Sequence, residues 1–255
     1  MNPRITSWQD QRVWVIGAST GIGAETARQL LEIGARVMLS ARRRDGLEAI
    51  AAGYPQALVT TLDITQHGTL VAARDAMLAQ WQGIDLVLIV AGSHSEMRAD
   101  DFDLIKAREL LDLNVGGVLN CLDVVLPVLL KQGSGGLGIV SSVAGYSGLP
   151  KALIYGATKA ALINLAESLF LDLRPRGIGV YLINPGFVDT PLTAANDFPM
   201  PGLMSAPTAA TAIVQGITRG DFHIHFPARF TNWLRLARIL PYRLYFWLVH
   251  KATGL

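Results

Sequence analysis

Tyr155 and Lys159 stand four residues apart in Tyr-Gly-Ala-Thr-Lys, and Ser142 lies thirteen residues upstream. On a helix, positions i and i+4 share a face, so the phenol and the ammonium lie side by side. A free phenol titrates near pH 10 and is a poor acid–base group at neutrality, but a neighbouring ammonium favours the phenolate and brings it toward a useful range. A serine hydroxyl beside that pair adds a hydrogen-bond donor for an oxygen on which negative charge develops. The chemistry this set could do is proton transfer to or from a substrate oxygen. Each member alone has an ordinary structural explanation. Tyr-x-x-x-Lys occurs by chance on amphipathic helices, Ser141 and Ser142 suit a strand end, and Asn114 between Leu113 and Val115 suits a helix irregularity.

The elements that must position these residues read as alternating strands and helices, the pattern of βαβ units around a parallel sheet. Val13–Gly17 is predicted as the first strand, followed by Gly17-Ala-Ser-Thr-Gly21-Ile-Gly23 and a helix over about 25–33 that Gly34 stops. Further strands are predicted at 36–40, 58–63, 85–90, 137–141, 179–184 and 222–226. A helix over about 104–129 is predicted to be interrupted at Gly116-Gly117 and Pro127, and the Tyr155 helix to run to about Leu173. Gly133-Ser-Gly-Gly precedes a strand rather than a helix, so it reads as a turn and not as a phosphate cradle. The expected fold class is α/β: one doubly wound Rossmann-type parallel sheet flanked by helices, in a single domain over 1–255 with an amphipathic helical extension at the C-terminus. A strand running through Gly17-x-x-x-Gly21-x-Gly23 into a helix brings backbone amides close to a pyrophosphate at the positive helix end.

Taken together, the chain resembles the short-chain dehydrogenase/reductase family over about Gln11 to Pro191. The resemblance rests on the glycine turn, Asp63, Ala91-Gly92, Asn114 in Leu-Asp-Leu-Asn, Ser142, Tyr155, Lys159 and Asn184-Pro-Gly-Phe-Val-Asp-Thr190. It implies an enzyme interconverting a carbonyl and an alcohol, with Tyr155 as general acid/base, Lys159 tuning it, Ser142 holding the substrate oxygen and Asn114 serving a proton relay toward the lysine. It further implies a nicotinamide cofactor held by Gly17, Ser19, Thr20, Gly21, Ile22, Gly23, Asp63, Ile64, Ala91, Gly92, Tyr155, Lys159, Pro185, Gly186, Val188 and Thr190. Substrate contacts are expected from Ser142, Tyr155, His94, Phe187 and Leu192. A homodimer or homotetramer is implied, through the helices around 104–129 and 153–173. The family usually carries asparagines before Ala-Gly, where this chain has Ile89-Val90; that puts local hydrogen bonding in doubt more than chemistry. A protein that binds the cofactor without turnover, as a sensor or scaffold, is the alternative of a different class.

The end of the second strand bears on the choice of cofactor. An acidic residue there would bind the ribose 2′-hydroxyl of NAD(H), whereas arginine accommodates a 2′-phosphate. The stretch Ser40-Ala-Arg-Arg-Arg44 has no carboxylate before Asp45, so NADP(H) is expected over NAD(H), with Arg42 as the main contact; a solvated basic loop accounts for the same residues.

Composition narrows the rest. Hydrophobic residues are 51% and charged residues 16% of 255, which disfavours disorder, and a net charge of +2 gives no footprint for nucleic acid. Cys121 is the single cysteine and reads as a buried thiol. The N-terminal stretch carries no apolar h-region, and no uninterrupted apolar run is read as long enough to span a bilayer, so a cytoplasmic location is expected. No metal is expected; His223 and His225 share a strand face but have no third partner at ligand spacing. The region 188–220 reads as a substrate loop, with Leu192, Phe198, Met200, Leu203 and Met204 suiting either a lid over a hydrophobic substrate or a packed surface loop. The extension 226–255 is unusual. From Phe222 onward there is no Asp or Glu, but Arg229, Arg235, Arg238, Arg243 and Lys251 are interleaved with Trp and Tyr. An amphipathic helix ending before Pro241, then a second segment through Val249, fits peripheral contact with a membrane surface or packing against protein.

Overall fold

The computed structural model describes residues 1–254 apart from 195 and 197, so Ala195 and Asp197 of the expected substrate loop and Leu255 of the extension lie outside the described residues. Seven parallel strands form one sheet: β1 (Arg12–Ile16), β2 (Arg36–Ala41), β3 (Ala57–Thr61), β4 (Leu86–Ile89), β5 (Gly135–Val140), β6 (Ile178–Pro185) and, after two short strands, β9 (His223–Phe226), in the order β3-β2-β1-β4-β5-β6-β9. The short strands β7 (Val188–Asp189) and β8 (Met204–Ser205) pair with each other, and the part of the expected substrate loop 188–220 that follows β8 is a helix over Ala206–Arg219 rather than loop. The chain builds outward from β1 in one direction to β3, then restarts at β4 on the other side. That reversal leaves a crevice at the carboxyl ends of β1 and β4, where a doubly wound sheet binds its ligand.

Helices cover both faces. α1 (Gly21–Glu32) and α7 (Ala206–Arg219) pack together on one face with α2 (Arg44–Ala51) beside α1. On the other face lie α3 (His67–Trp81), α4 (Leu104–Leu111), α5 (Gly117–Gln132) and α6 (Leu153–Leu173). The sequence analysis does not assign α2, α3 and α7, although the buried Leu70, Ala73 and Met77 of α3 stand at helical spacing, as do Ala209, Ala210, Ile213 and Ile217 of α7. α1 starts at Gly21, earlier than the expected 25, because the glycine turn winds directly into the helix. β5 starts at Gly135 rather than 137, with Gly133 ending α5 in the left-handed conformation.

The helix expected over 104–129 is continuous to Gln132. Pro127 lies inside α5 without ending it. The irregularity is instead a π-turn over Asp112–Gly116, which joins α4 to α5 and buries Asn114. By length and hydropathy this rod of 29 residues could cross a bilayer, which corrects the expectation that no such segment exists. Its inner face, with Val118, Cys121, Leu122, Val125 and Leu129 buried, is part of the core. Burial pushes the Cys121 thiol far up, so it stays protonated and inert.

Trp14 is the largest fully buried side chain, and its indole N–H donates to the Ser40 hydroxyl at 3.0 Å, linking β1 to β2 directly behind the crevice. At the opposite end of β1 the Arg12 guanidinium grips Asp85 through Nε (2.8 Å) and Nη2 (2.6 Å), fixing where β4 begins. Trp14→Ala removes a large core volume and leaves Ser40 without its donor, so urea unfolding is expected to show a loss of about 3–5 kcal/mol. A loss below about 1 kcal/mol would mean that the core behind the crevice collapses to fill the space.

Candidate active site

The glycine turn builds one wall of the crevice. Gly17 has φ +97, and a Cβ there would meet the Ala91 amide nitrogen at 2.5 Å, so only glycine lets β1 pass this close to the end of β4. A Cβ on Gly23 would fall 2.1 Å from the Gly17 carbonyl oxygen. The turn therefore folds tightly back on itself and delivers α1 with its N-terminus facing the crevice. Thr20 at the N-cap makes no side-chain cap, and the first turn holds no acidic residue. Amides at a helix start left without a side-chain acceptor, under a positive helix end, are what a phosphate group needs.

The resulting cleft has a volume of about 630 Å³. Its lining includes every residue expected to hold a cofactor: Gly17, Ser19, Thr20, Gly21, Ile22, Gly23, Arg42, Asp63, Ile64, Ala91, Gly92, Tyr155, Lys159, Pro185, Gly186, Val188 and Thr190. Arg42 follows the end of β2 and is exposed, while Arg44 is turned to Glu48 at 2.6 Å and takes no part. Asp63 Oδ1 accepts from the Thr65 amide (2.9 Å) and hydroxyl (2.8 Å), bonds that hold its carboxyl below the usual range. Where the family's asparagines are replaced, the Val90 and Ala91 amides both donate to the Ile16 carbonyl (2.8 and 2.9 Å), so backbone alone secures the β1–β4 junction. Arg43, Leu62, Val90, Ser93 and Leu113, not expected from the sequence, also line the cleft. Each immediately follows or precedes an identified residue; Arg43, Leu62, Val90 and Ser93 follow strand ends, and Leu113 sits in the π-turn beside Asn114.

The four proton-transfer candidates meet where α6 passes the end of β5. Ser141 and Ser142 divide their work: Ser141 Oγ donates to the Lys159 carbonyl at 2.7 Å and so fastens β5 to α6, leaving Ser142 as the hydroxyl beside Tyr155. Ser142 Oγ also accepts from the Ala144 amide at 3.1 Å. Lys159 is almost fully buried, its Nζ donating to the Val140 carbonyl at 3.1 Å and lying 5.7 Å from the Tyr155 ring centroid. Burial brings this ammonium down to about 8. This corrects the expectation that the neighbouring ammonium brings the phenol toward neutrality: burial raises the Tyr155 phenol, and the hydrogen bond from Ser142 rather than Lys159 pulls the other way. Asn114 is buried in the π-turn; its Oδ1 accepts from the Ser93 amide (2.8 Å), and its Nδ2 donates to the Ser93 carbonyl (3.0 Å) and the Thr158 hydroxyl (3.1 Å). Its side chain thus braces the Ser93 loop against α6, and π-turns of this kind recur at functional sites.

Of the expected substrate contacts, Ser142, Tyr155 and Leu192 line the cleft, whereas His94 and Phe187 do not. His94 packs edge-on against the Tyr155 ring, 4.6 Å between centroids, and burial lowers its pKa so that it faces the phenol uncharged at neutral pH. Phe187 is drawn away into a cluster with Phe198 (5.9 Å) and Phe230 (5.8 Å). His223 and His225 are taken up by protein partners: the Tyr146 hydroxyl and Asn184 amide at His223 Nε2, and Thr231 and Arg235 at His225.

A family model described as short chain dehydrogenase matches residues 11–198. The chain belongs to the short-chain dehydrogenase family. Among curated relatives, an uncharacterized oxidoreductase of Myxococcus xanthus is 38% identical over 235 residues, covering 91% of this chain and 93% of that protein. One from Staphylococcus epidermidis is 34% identical over 206 residues, covering 80% of this chain and 90% of the other. The fold is shared with a short-chain dehydrogenase/reductase of Burkholderia phymatum in complex with NAD (TM-score 0.84, 22% identity, 91% of this chain and 94% of that one). It is shared equally with a short chain dehydrogenase of Burkholderia cenocepacia in complex with NADP (TM-score 0.84, 23% identity, 96% and 99%). This short-chain dehydrogenase is therefore an oxidoreductase with the nucleotide-binding fold of its family.

A buried ammonium lowered to about 8 costs the fold stability. Below pH 8 Lys159 is protonated in both the folded and unfolded protein, and the penalty is fully present. Between 8 and its ordinary 10.5 the unfolded chain binds the proton more tightly, so this group's contribution rises with pH. Lys159→Met is accordingly expected to be more stable than the parent at pH 7, on the order of 2–3 kcal/mol, with the gap closing by about pH 10.5. Denaturant melts at both pH values read this directly, and a variant less stable at pH 7 would show that the ammonium's hydrogen bond outweighs its desolvation.

Proposed function

We propose that this short-chain dehydrogenase is an NADP(H)-dependent oxidoreductase interconverting a hydrophobic carbonyl compound and its secondary alcohol, with Tyr155 as general acid/base. The observation that carries the reading is the meeting of Tyr155, Ser142 and Lys159 in the same cleft as the uncapped start of α1. A bound nicotinamide would supply or accept the hydride. The chain's own residues do the rest. Burial keeps the Tyr155 phenol protonated at neutral pH, the form needed to give a proton to a carbonyl oxygen during reduction. Lys159, with its pKa near 8, is mostly charged at the same pH and stabilises the phenolate left behind. Ser142 donates to the substrate oxygen as negative charge grows there. Asn114 fixes the loop and helix that hold the set in register.

Arg42, with Arg43 beside it, supports NADP(H) over NAD(H), since both open into the cleft after β2 and Asp45 does not line it. Leu192 and Pro191 at the other end support an apolar substrate. The exposed Leu104, Leu111, Leu119, Leu130 and Leu171 along α4–α6 support a homodimer through these helices.

Tyr155→Phe is expected to lose about 10²- to 10⁴-fold in kcat for ketone reduction while binding NADPH as before. Unchanged turnover would remove Tyr155 from the chemistry. Arg42→Ala should lower kcat/KM for NADPH by about 10- to 100-fold, the worth of a charge-assisted phosphate contact, and leave NADH nearly unaffected. Equal loss with both cofactors would place the arginine elsewhere.

A further inference from the structure

The two C-terminal helices, α8 (Ala228–Arg238) and α9 (Tyr242–Thr253), lie beyond the residues that the family model matches. They are firmly attached. The Thr231 hydroxyl meets His225 Nδ1 at 2.6 Å, the Phe230 ring lies tilted against Phe187, and the Tyr245 hydroxyl donates to the Gly148 carbonyl at 2.7 Å. Yet their outer surface is apolar. Trp233, Ile239 and Tyr242 are 70%, 77% and 80% exposed, and Leu236, Leu244, Phe246 and Trp247 are exposed beside them. On α8 only Thr231 and Ala237 are buried, while Trp233 and Leu236 stay exposed, so the helix carries apolar surface toward solvent as well. A soluble surface does not normally leave so large a contiguous patch uncovered.

We infer that the outward faces of α8 and α9 form a docking surface for an anionic lipid bilayer. The charges decide between this occupant and a second copy of the chain. Arg229, Arg238, Arg243 and Lys251 are exposed on the same two helices, Arg235 is held at His225 Nε2 (3.0 Å), and Phe222–Leu255 contains no Asp or Glu. A two-fold contact would set this patch against itself and bring like charges together, whereas an anionic leaflet offers the exposed cations opposite charge. Exposed Trp and Tyr among basic residues match the headgroup layer, where one end of the ring is apolar and the other wet. Each helix is far too short to span a bilayer, so the pair lies in the surface plane. Because α9 is tied to Gly148, in the segment between Ser142 and Tyr155, docking places that side of the molecule against the membrane. The inference concerns binding and stands whether or not the cleft turns over a substrate.

The test is flotation of the full-length protein with phosphatidylcholine vesicles, with and without phosphatidylglycerol, at low and high salt. Binding is expected only to the phosphatidylglycerol vesicles and should weaken as salt rises. It should be accompanied by a blue shift of Trp233 and Trp247 emission. Replacing Arg229, Arg243 and Lys251 together by Gln should weaken binding about a hundredfold, at about fivefold per basic residue. Trp233→Ser with Ile239→Ser, exposed on α8 and just after it, should also lose binding while keeping the parent's melting temperature and NADPH affinity. Absence of vesicle binding would overturn the inference. So would a serine variant that falls from dimer to monomer in sedimentation with vesicle binding unchanged, since a second copy would then be the occupant.

Discussion

The burial of Lys159 is the constraint around which the rest of this site is organised. An ammonium taken out of water needs fixed partners, and the chain supplies them from several elements at once. The Val140 carbonyl at the end of β5 accepts from Nζ, and Ser141 anchors the lysine's own carbonyl. Gly145 lets the segment after β5 lie directly on the helix, where a Cβ would stand 2.6 Å from the Lys159 carbonyl carbon. These contacts fix α6, and α6 in turn sets Tyr155 beside Ser142. The desolvation that burdens the folded state is also what keeps the lysine's charge effective, since no water screens it from the phenol.

A second close approach prepares the other end of the cleft. Gly17 against Ala91 brings the start of α1 to the point where strand order reverses. The Gly17 approach and the buried lysine thus shape the same crevice from opposite sides, one setting the start of α1 and the other the position of Tyr155. Asn114 joins them mechanically. Its π-turn holds the Ser93 loop, which continues from β4, and also meets Thr158, the neighbour of Lys159.

Much of this was legible in the sequence because the chemistry demands particular residues at fixed spacing. Tyr155 and Lys159 share a helix face by period alone, and glycines before a helix announce a tight turn. The resemblance points to Ser142, and the structure adds that the neighbouring Ser141 gives its hydroxyl to the Lys159 carbonyl. Other features depend on tertiary contacts that no local pattern encodes. The π-turn at 112–116 looked like an interruption by glycine and proline, because a one-residue insertion in the hydrogen-bond ladder leaves no compositional mark. Phe187 sat at the right place for a substrate contact, but Phe198 and Phe230 offered it a better-packed environment. Arg43 was overlooked because a run of three arginines does not say which of them turns inward. α3 and α7 had readable periodicity.

The most direct measurement of the central claim is the pH dependence of kcat/KM for ketone reduction at saturating NADPH. A charged Lys159 supporting a protonated Tyr155 predicts a plateau through neutral pH and a decline as pH rises through about 8, where the lysine gives up its proton. A profile that stays flat to pH 10, or no turnover of any apolar ketone at neutral pH, would contradict it.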